Sequence, residues 1–169
     1  MIIKYGVKKI INTGVAGTLS EKIGILDIAV SSAVVQHDMD TSALGDLPGL
    51  ISGITIVEIP ASKSLSETAC RLASLQGNKC AEGIIASGDQ FINNAEKKNW
   101  IRDTFGAIAC EMEGAAIGHV CYVSGVDFVV IRCISDNASG EADMEYPELV
   151  GKAAVSSQKL VEAIVKEIG

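Results

Sequence analysis

The chain has 169 residues, a formal net charge of −7 at pH 7 and 48% hydrophobic residues. This length and composition suit one globular domain, residues 1–169, with a sizeable core. An acidic chain with no basic run longer than Lys97-Lys98 is a poor partner for DNA or RNA. No stretch approaches the roughly 20 apolar residues of a membrane helix, so we expect neither a nucleic-acid nor a membrane partner.

The five cysteines and two histidines show no metal-ligand spacing. Cys121 and Cys133 lie in apolar runs, which predicts reduced core thiols and a cytoplasmic protein. His37 with Asp38 and Asp40 permits a metal site, but such a cluster favours a strand end that is hydrogen-bonded to its neighbours. We therefore expect no metal and no cofactor.

The first predicted strand, residues 8–12, runs into a turn of small residues, Thr13–Gly17. Glycines after a strand let a ligand or another chain segment approach the backbone closely, although a tight packing turn is an equal alternative. Residues 24–36 and 53–60 predict two further strands.

The middle of the chain predicts a helix at 62–76, a strand at 79–86 and a polar helix at 94–105. Small residues, an acid and an aromatic, residues 87–93, follow the strand. Phe91 in this segment either stacks on a planar ligand or fills the core.

A short strand at 107–110 leads through Glu111-Met112-Glu113 into a helix of small residues at 114–122. Two carboxylates are costly to bury without partners, and the helix dipole stabilises them only in part. Helix capping explains one of the two glutamates but hardly both, so this segment is a candidate site.

Residues 128–136 predict a buried strand that Arg132 interrupts and Asp136 ends; a last helix follows at 147–168. Arg132, Ile134 and Asp136 share one face of an extended strand. A ligand site and a structural ion pair with a capping aspartate are equally good interpretations of this pattern. Strands thus alternate with helices, which predicts an α/β architecture with one site along the strand ends.

Five motifs in order resemble the 5'-methylthioadenosine/S-adenosylhomocysteine nucleosidases of the purine nucleoside phosphorylase superfamily. The motifs are Ile11–Gly17, Gly24–Val30, Ser87–Ile92, Glu111–Ala116 and Val130–Asp136. The resemblance implies a three-layer αβα fold with a central mixed sheet. It also implies a homodimer that hydrolyses the N-glycosidic bond of a purine nucleoside, in methionine salvage and methyl-cycle recycling.

The resemblance also implies roles for particular residues. Asp136 matches the general acid that protonates the leaving purine, and Glu113 matches the carboxylate that accepts the ribose hydroxyls. The other substrate-binding positions that it implies are Ala16, Gly17, Phe91, Ile92, Met112, Arg132, Ser135 and Tyr146.

Two departures from the family pattern qualify this expectation. The water-activating glutamate of the family lies upstream of every motif here, so we expect a chain that lacks the N-terminal part of the family domain. Asn12 stands where the nucleoside phosphorylases place an arginine for phosphate, which favours water as the nucleophile. The alternatives are a purine nucleoside phosphorylase, a futalosine-type nucleosidase and an inactive nucleoside-binding fragment.

Overall fold

A computed structural model describes residues 1–136 and 146–169, with the side chains of all of these except 146–148. The strands are β1 Lys9–Thr18, β2 Ile28–Gln36, β3 Ile59–Pro60, β4 Cys80–Ser87, β5 Ala107–Glu111 and β6 Asp127–Asp136. The helices are α1 Ile2–Tyr5, α2 Lys63–Leu75, α3 Ala95–Phe105, α4 Gly114–Val123 and α5 Tyr146–Ile168, with a 3-10 turn at Ser42–Leu44.

The described strands form one mixed sheet in the order β3-β2-β4-β5-β1-β6. Neighbouring pairs β2–β4, β4–β5 and β1–β6 are parallel, whereas β1–β5 and β2–β3 are antiparallel. Strand β2 also pairs with β6, so the sheet curls until its two sides meet. The predicted α/β fold with a mixed sheet is therefore confirmed.

Side chains of β6 alternate between two apolar layers, as extended backbone requires. Val129, Ile131 and Cys133 pack in a cluster with α2 and α5. Phe128, Val130 and Ile134 pack in a separate cluster that includes buried side chains of α4. Arg132 and Asp136 fall on this second face, where the other strand ends also lie.

The expected turn at residues 13–17 is wrong, because β1 continues through this segment to Thr18. Its backbone pairs in parallel with β6 from Lys9 to Gly17. The small residues serve close approach between strands rather than chain reversal. A Cβ atom on Gly17 would lie 2.6 Å from Oδ1 of Asp136, and one on Gly14 would lie 3.5 Å from the guanidinium of Arg132.

The strand expected at residues 53–60 is also shorter, since only Ile59 and Pro60 pair with β2. Thr55 has a left-handed φ of 56°, a conformation that breaks extended backbone. The expected strand at 24–36 begins instead at Ile28, because the N–H of Gly24 donates to Oδ2 of Asp27 at 2.8 Å and closes a turn. No helix within residues 1–136 and 146–169 is both long enough and apolar enough to cross a membrane.

Candidate active site

Two adjoining cavities open where β1, β5 and β6 end. One has a volume of about 160 Å³ and the other of about 30 Å³, and they share Gly17, Phe91, Cys110, Glu111 and Met112 as lining residues. The larger cavity is also lined by Val15, Ala16, Glu113 and Ser135, and the smaller by Leu19, Gln90, Ile92, Lys98 and Asp136. A groove of about 830 Å³ beside α5 is larger but contains none of the predicted site residues.

The fold thus brings eight of the predicted site residues to one place. Asp136, Phe91, Ile92, Met112, Glu113, Ala16, Gly17 and Ser135 all line the cavity pair. Arg132 lies behind the cavity wall, where it contacts Glu111. The side chain of Tyr146 lies outside the described residues, so its expected place near the base stays a prediction.

Glu111 is the buried centre of a hydrogen-bond network, which sequence reasoning missed. Its carboxylate accepts hydrogen bonds from Ser87 Oγ, from Arg132 and from the backbone N–H of Gly114 at 2.9 Å. Ser87 Oγ in turn accepts from the N–H of Ala115 at 2.7 Å. Glu111 therefore ties β4, β5 and β6 to the first turn of α4.

Arg132 is buried to 99% and its ion pair with Glu111 is therefore shielded from water. Its Nη2 also donates to Oδ1 of Asn12 at 2.6 Å, and Nη1 donates to the carbonyl of Ile131 at 3.1 Å. Arg132 Nε has no hydrogen-bond partner among the described residues. The structural ion pair expected from sequence is present, with Glu111 as the partner of Arg132, whereas the ligand-site interpretation stays a prediction.

Glu113 has a different environment from Glu111, although the two are only two residues apart. Its side chain is 67% exposed, and its Oε2 lies 3.8 Å from Nη2 of Arg132. The residue occupies the N-cap position of α4 without a side-chain capping bond. Its carboxylate thus makes no capping bond to the backbone and lines the larger cavity.

Phe91 and Met112 lie at the mouth of the cavity. Phe91 is 73% exposed, which rules out the core-filling alternative, and Met112 is 42% exposed. An aromatic ring and a thioether at a cavity mouth can contact a planar ligand and an apolar sugar face.

Asp136 ends β6 beside the smaller cavity and forms an ion pair with Lys98. Lys98 Nζ lies 3.0 Å from Asp136 Oδ2, and the two side chains are 5% and 20% exposed. Lys98 comes from the first part of α3, which Asn94 caps by accepting from the N–H of Lys97 at 3.0 Å. Sequence reasoning missed this lysine, because Lys97-Lys98 reads as part of a polar helix surface.

Burial sets the protonation of two further groups near the cavity. Desolvation raises the pKa of the Cys110 thiol to about 12, and the negative charges of Glu111 and Asp136 add to the effect, so the thiol is neutral. At His37 burial is the largest influence and lowers the pKa of the imidazole, because it disfavours the charged form.

The expected hydrogen-bonded strand end at residues 37–40 is confirmed: the N–H of His37 donates to the carbonyl of Ser87 at 3.0 Å, and the N–H of Asp89 donates to Oδ2 of Asp38 at 2.7 Å. The imidazole of His37 is the exception. This side chain is 1% exposed, and neither ring nitrogen has a hydrogen-bond partner among the described residues. Gly88 packs so closely against the ring that a Cβ atom there would lie 2.4 Å from Nε2. Within residues 1–136 and 146–169, no three His, Cys, Asp or Glu side chains are grouped to hold a metal ion.

Comparison with known proteins shows the family of this chain. The family model described as Phosphorylase superfamily matches residues 1–168. An aminodeoxyfutalosine nucleosidase of Helicobacter pylori is 41% identical over 168 residues, which are 99% of this chain and 73% of that protein. A 5'-methylthioadenosine/S-adenosylhomocysteine nucleosidase of Staphylococcus aureus is 40% identical over 169 residues, 99% of this chain and 74% of that protein.

A solved structure agrees in fold as well as in sequence. The crystal structure of a mutant Helicobacter pylori nucleosidase with 5'-methylthioadenosine in its active site superposes with a TM-score of 0.91 at 40% identity. The superposition covers 99% of this chain and 72% of the Helicobacter pylori chain. The chain spans about three quarters of the length of these relatives, and the expectation that it lacks the N-terminal part of the family domain stays a prediction. The chain belongs to the phosphorylase superfamily, and its relatives are nucleosidases, hydrolases that act on N-glycosyl bonds.

Proposed function

We propose that this protein hydrolyses the N-glycosidic bond of 5'-methylthioadenosine and S-adenosylhomocysteine, releasing adenine and the thioribose product. The observation that carries the proposal is the meeting of Asp136, Phe91, Met112 and Glu113 around one cavity pair. These are an acid, a ring, an apolar contact and an open carboxylate, which are the groups that departure of a purine from a ribose requires.

In the proposed reaction, Asp136 in its carboxylic acid form donates a proton to N7 of the purine as the C–N bond breaks. The bonding electron pair leaves with the base, which therefore departs neutral. Water forms the new bond to the anomeric carbon and gives its surplus proton to solvent, from which Asp136 is reprotonated. The oxocarbenium-like transition state concentrates positive charge on the sugar, which a nearby carboxylate stabilises.

Glu113 is the carboxylate that we assign to the ribose. Its exposed oxygens can accept hydrogen bonds from two sugar hydroxyls, while Arg132 lies 3.8 Å away and orients it. Glu111 is excluded from this role, since Ser87, Arg132 and Gly114 already occupy its oxygens. Ser135, whose Oγ donates to the carbonyl of Ala16 at 3.4 Å, is assigned to the support of the cavity wall.

Asn12 supports hydrolysis over phosphorolysis. Its Oδ1 accepts a hydrogen bond from Arg132 at 2.6 Å, and an amide offers no positive charge to a phosphate. A second substrate class, aminodeoxyfutalosine, is favoured by one observation, the relative of that name at 41% identity. Both substrates present a purine nucleoside to the same residues and differ in the group on the 5' carbon.

The test of the proposal is release of the free base from 5'-methylthioadenosine and from aminodeoxyfutalosine, each measured with and without phosphate. We expect release from 5'-methylthioadenosine at a rate independent of phosphate. Release that requires phosphate would instead make the protein a phosphorylase. Faster release from aminodeoxyfutalosine would make that compound, rather than 5'-methylthioadenosine, the preferred substrate. A folded protein that binds the nucleoside and releases no base would be an inactive binding fragment.

Replacing Glu113 by glutamine is expected to weaken both substrate binding and turnover. The amide loses the charge-assisted acceptance of the ribose hydroxyls, a contribution of about 1.5–3 kcal/mol, so kcat/KM should fall roughly 10- to 150-fold. Steady-state kinetics with 5'-methylthioadenosine measure the effect. Glu67→Gln is the matched control, since Glu67 lies on α2 in an exposed pair with Lys63. Kinetics of Glu113→Gln that equal those of the control would remove Glu113 from the site.

We also propose that the chain forms one domain, acts in the cytoplasm and pairs as a homodimer, in methionine salvage and methyl-cycle recycling. Five free thiols suit a reducing compartment. The exposed apolar side chains of Leu44 and Leu47 offer a surface for a second copy. Sedimentation at several concentrations tests the assembly.

A further inference from the structure

The side chain of Lys98 is unusually buried for a lysine of a polar helix, and it forms an ion pair with Asp136. Lys98 lies in the polar helix α3, yet its side chain is 5% exposed and its Nζ lies 3.0 Å from Asp136 Oδ2. Lysine is almost never this deeply buried without a partner, because removing the ammonium from water is costly. The contact also places a cation in the wall of the smaller cavity, beside Phe91 and Ile92.

We propose that Lys98 is a positioning residue for Asp136: it holds one carboxylate oxygen and so fixes the side chain for transfer of a proton to the purine. This inference rests on the proposed function. Lys98 donates a hydrogen bond to Oδ2 of Asp136. Oδ1 lies so close to Gly17 that a Cβ atom on this glycine would be only 2.6 Å from it. The carboxylate is thereby fixed between the lysine and the β1 backbone, at the edge of the cavity.

In the described part of the chain, the other charged and titratable groups near Asp136 do not duplicate this cation. From β5, Cys110 is neutral because its pKa is raised to about 12, and Glu111 is already paired with Arg132. Arg132, on the same strand as Asp136, directs its guanidinium to Glu111 and Asn12. Among the described residues, Lys98 is therefore the cation whose contact with Asp136 is direct.

A cation in this position orients the carboxylate for transfer of a proton to the purine, which favours turnover. The ribose is assigned to Glu113 and not to Lys98. Removing the cation should thus lower kcat and leave KM nearly unchanged. A purely structural role would not confine the loss to kcat.

The experiment compares kcat and KM of wild type, Lys98→Met and Lys98→Arg with 5'-methylthioadenosine. For Lys98→Met we expect a roughly tenfold loss of kcat at a nearly unchanged KM. Lys98→Arg keeps the charge and a donor, so it should restore most of the lost kcat. Lys97→Met is the matched control, because its ammonium lies over the Trp100 ring at 4.1 Å and it should leave both constants unchanged.

Thermal unfolding of each variant separates loss of the fold from loss of the contact. If Lys98→Met does not fold, Lys98→Gln provides the same comparison. A kcat that is unchanged when the charge is removed, or that Lys98→Arg does not restore, would overturn the proposal. Failure of the proposed function is distinguishable, since it would show as a wild-type protein without base release or an Asp136→Asn variant with normal release.

Discussion

Replacing Asp136 by asparagine is expected to lower turnover of 5'-methylthioadenosine by about 10²–10⁴-fold, the usual contribution of a general acid. The amide keeps the size of the side chain but cannot deliver a proton to N7 of the purine. The purine would then have to leave as an anion. Binding of a nucleoside analogue should change little, because Phe91, Met112 and Glu113 remain in place. Single-turnover kinetics and calorimetric titration of the analogue measure the two quantities separately.

Asp127→Asn is the matched control for this experiment. Asp127 is the exposed first residue of the same strand, β6, and lies at the end opposite to Asp136. The control loses the same charge from the same strand and should retain wild-type turnover. Near-normal turnover in Asp136→Asn would contradict the assignment of Asp136 as the acid, whatever the control shows.

Replacing Glu111 by glutamine is expected to lower the free energy of unfolding by about 3–5 kcal/mol, the cost of removing one partner from a buried ion pair. Arg132 would remain buried without its counter-charge, and Ser87 and Gly114 would lose a charged acceptor. Urea unfolding measures the loss as a lower midpoint at unchanged slope. Because a typical domain is stable by about 5–15 kcal/mol, the variant should be marginal at 37 °C.

Glu113→Gln is the matched control here, since Glu113 is 67% exposed and should change stability by no more than about 0.5 kcal/mol. The pair of variants thus separates two roles within one motif, stability for Glu111 and substrate binding for Glu113. In the double variant Glu111→Gln/Arg132→Met the loss should be smaller than the sum of the single losses, because no uncompensated charge remains. Equal stability of the two glutamine variants would contradict the buried network.

Local pattern alone predicted the alternation of strands and helices and the place of most site residues. The β-branched run that ends in Asp136 predicts a buried strand, and the small residues after Glu113 predict a helix. Strand ends in an α/β sheet meet at one edge, so residues as distant in sequence as Gly17, Phe91 and Asp136 were expected together. The resemblance to a nucleosidase family supplied the roles, which no spacing could show.

Tertiary contacts decided what local pattern could not. Thr13–Gly17 has the composition of a turn, but the parallel ladder with β6 extends it, and its glycines are used to admit Arg132 and Asp136. Residues 53–60 have the composition of a strand, but only Ile59 and Pro60 pair with another strand. Propensity is a weak prior when pairing partners lie a hundred residues away.

The division of labour between Glu111 and Glu113, and the contact of Lys98 with Asp136, were likewise decided only in three dimensions. The sequence determined that carboxylates and cations would stand near the strand ends, because residue type and strand position are local properties. Which charges pair, and which are left open to a substrate, depends on burial and on distances between separate strands and helices. Those distances arise only when the sheet curls and its helices pack.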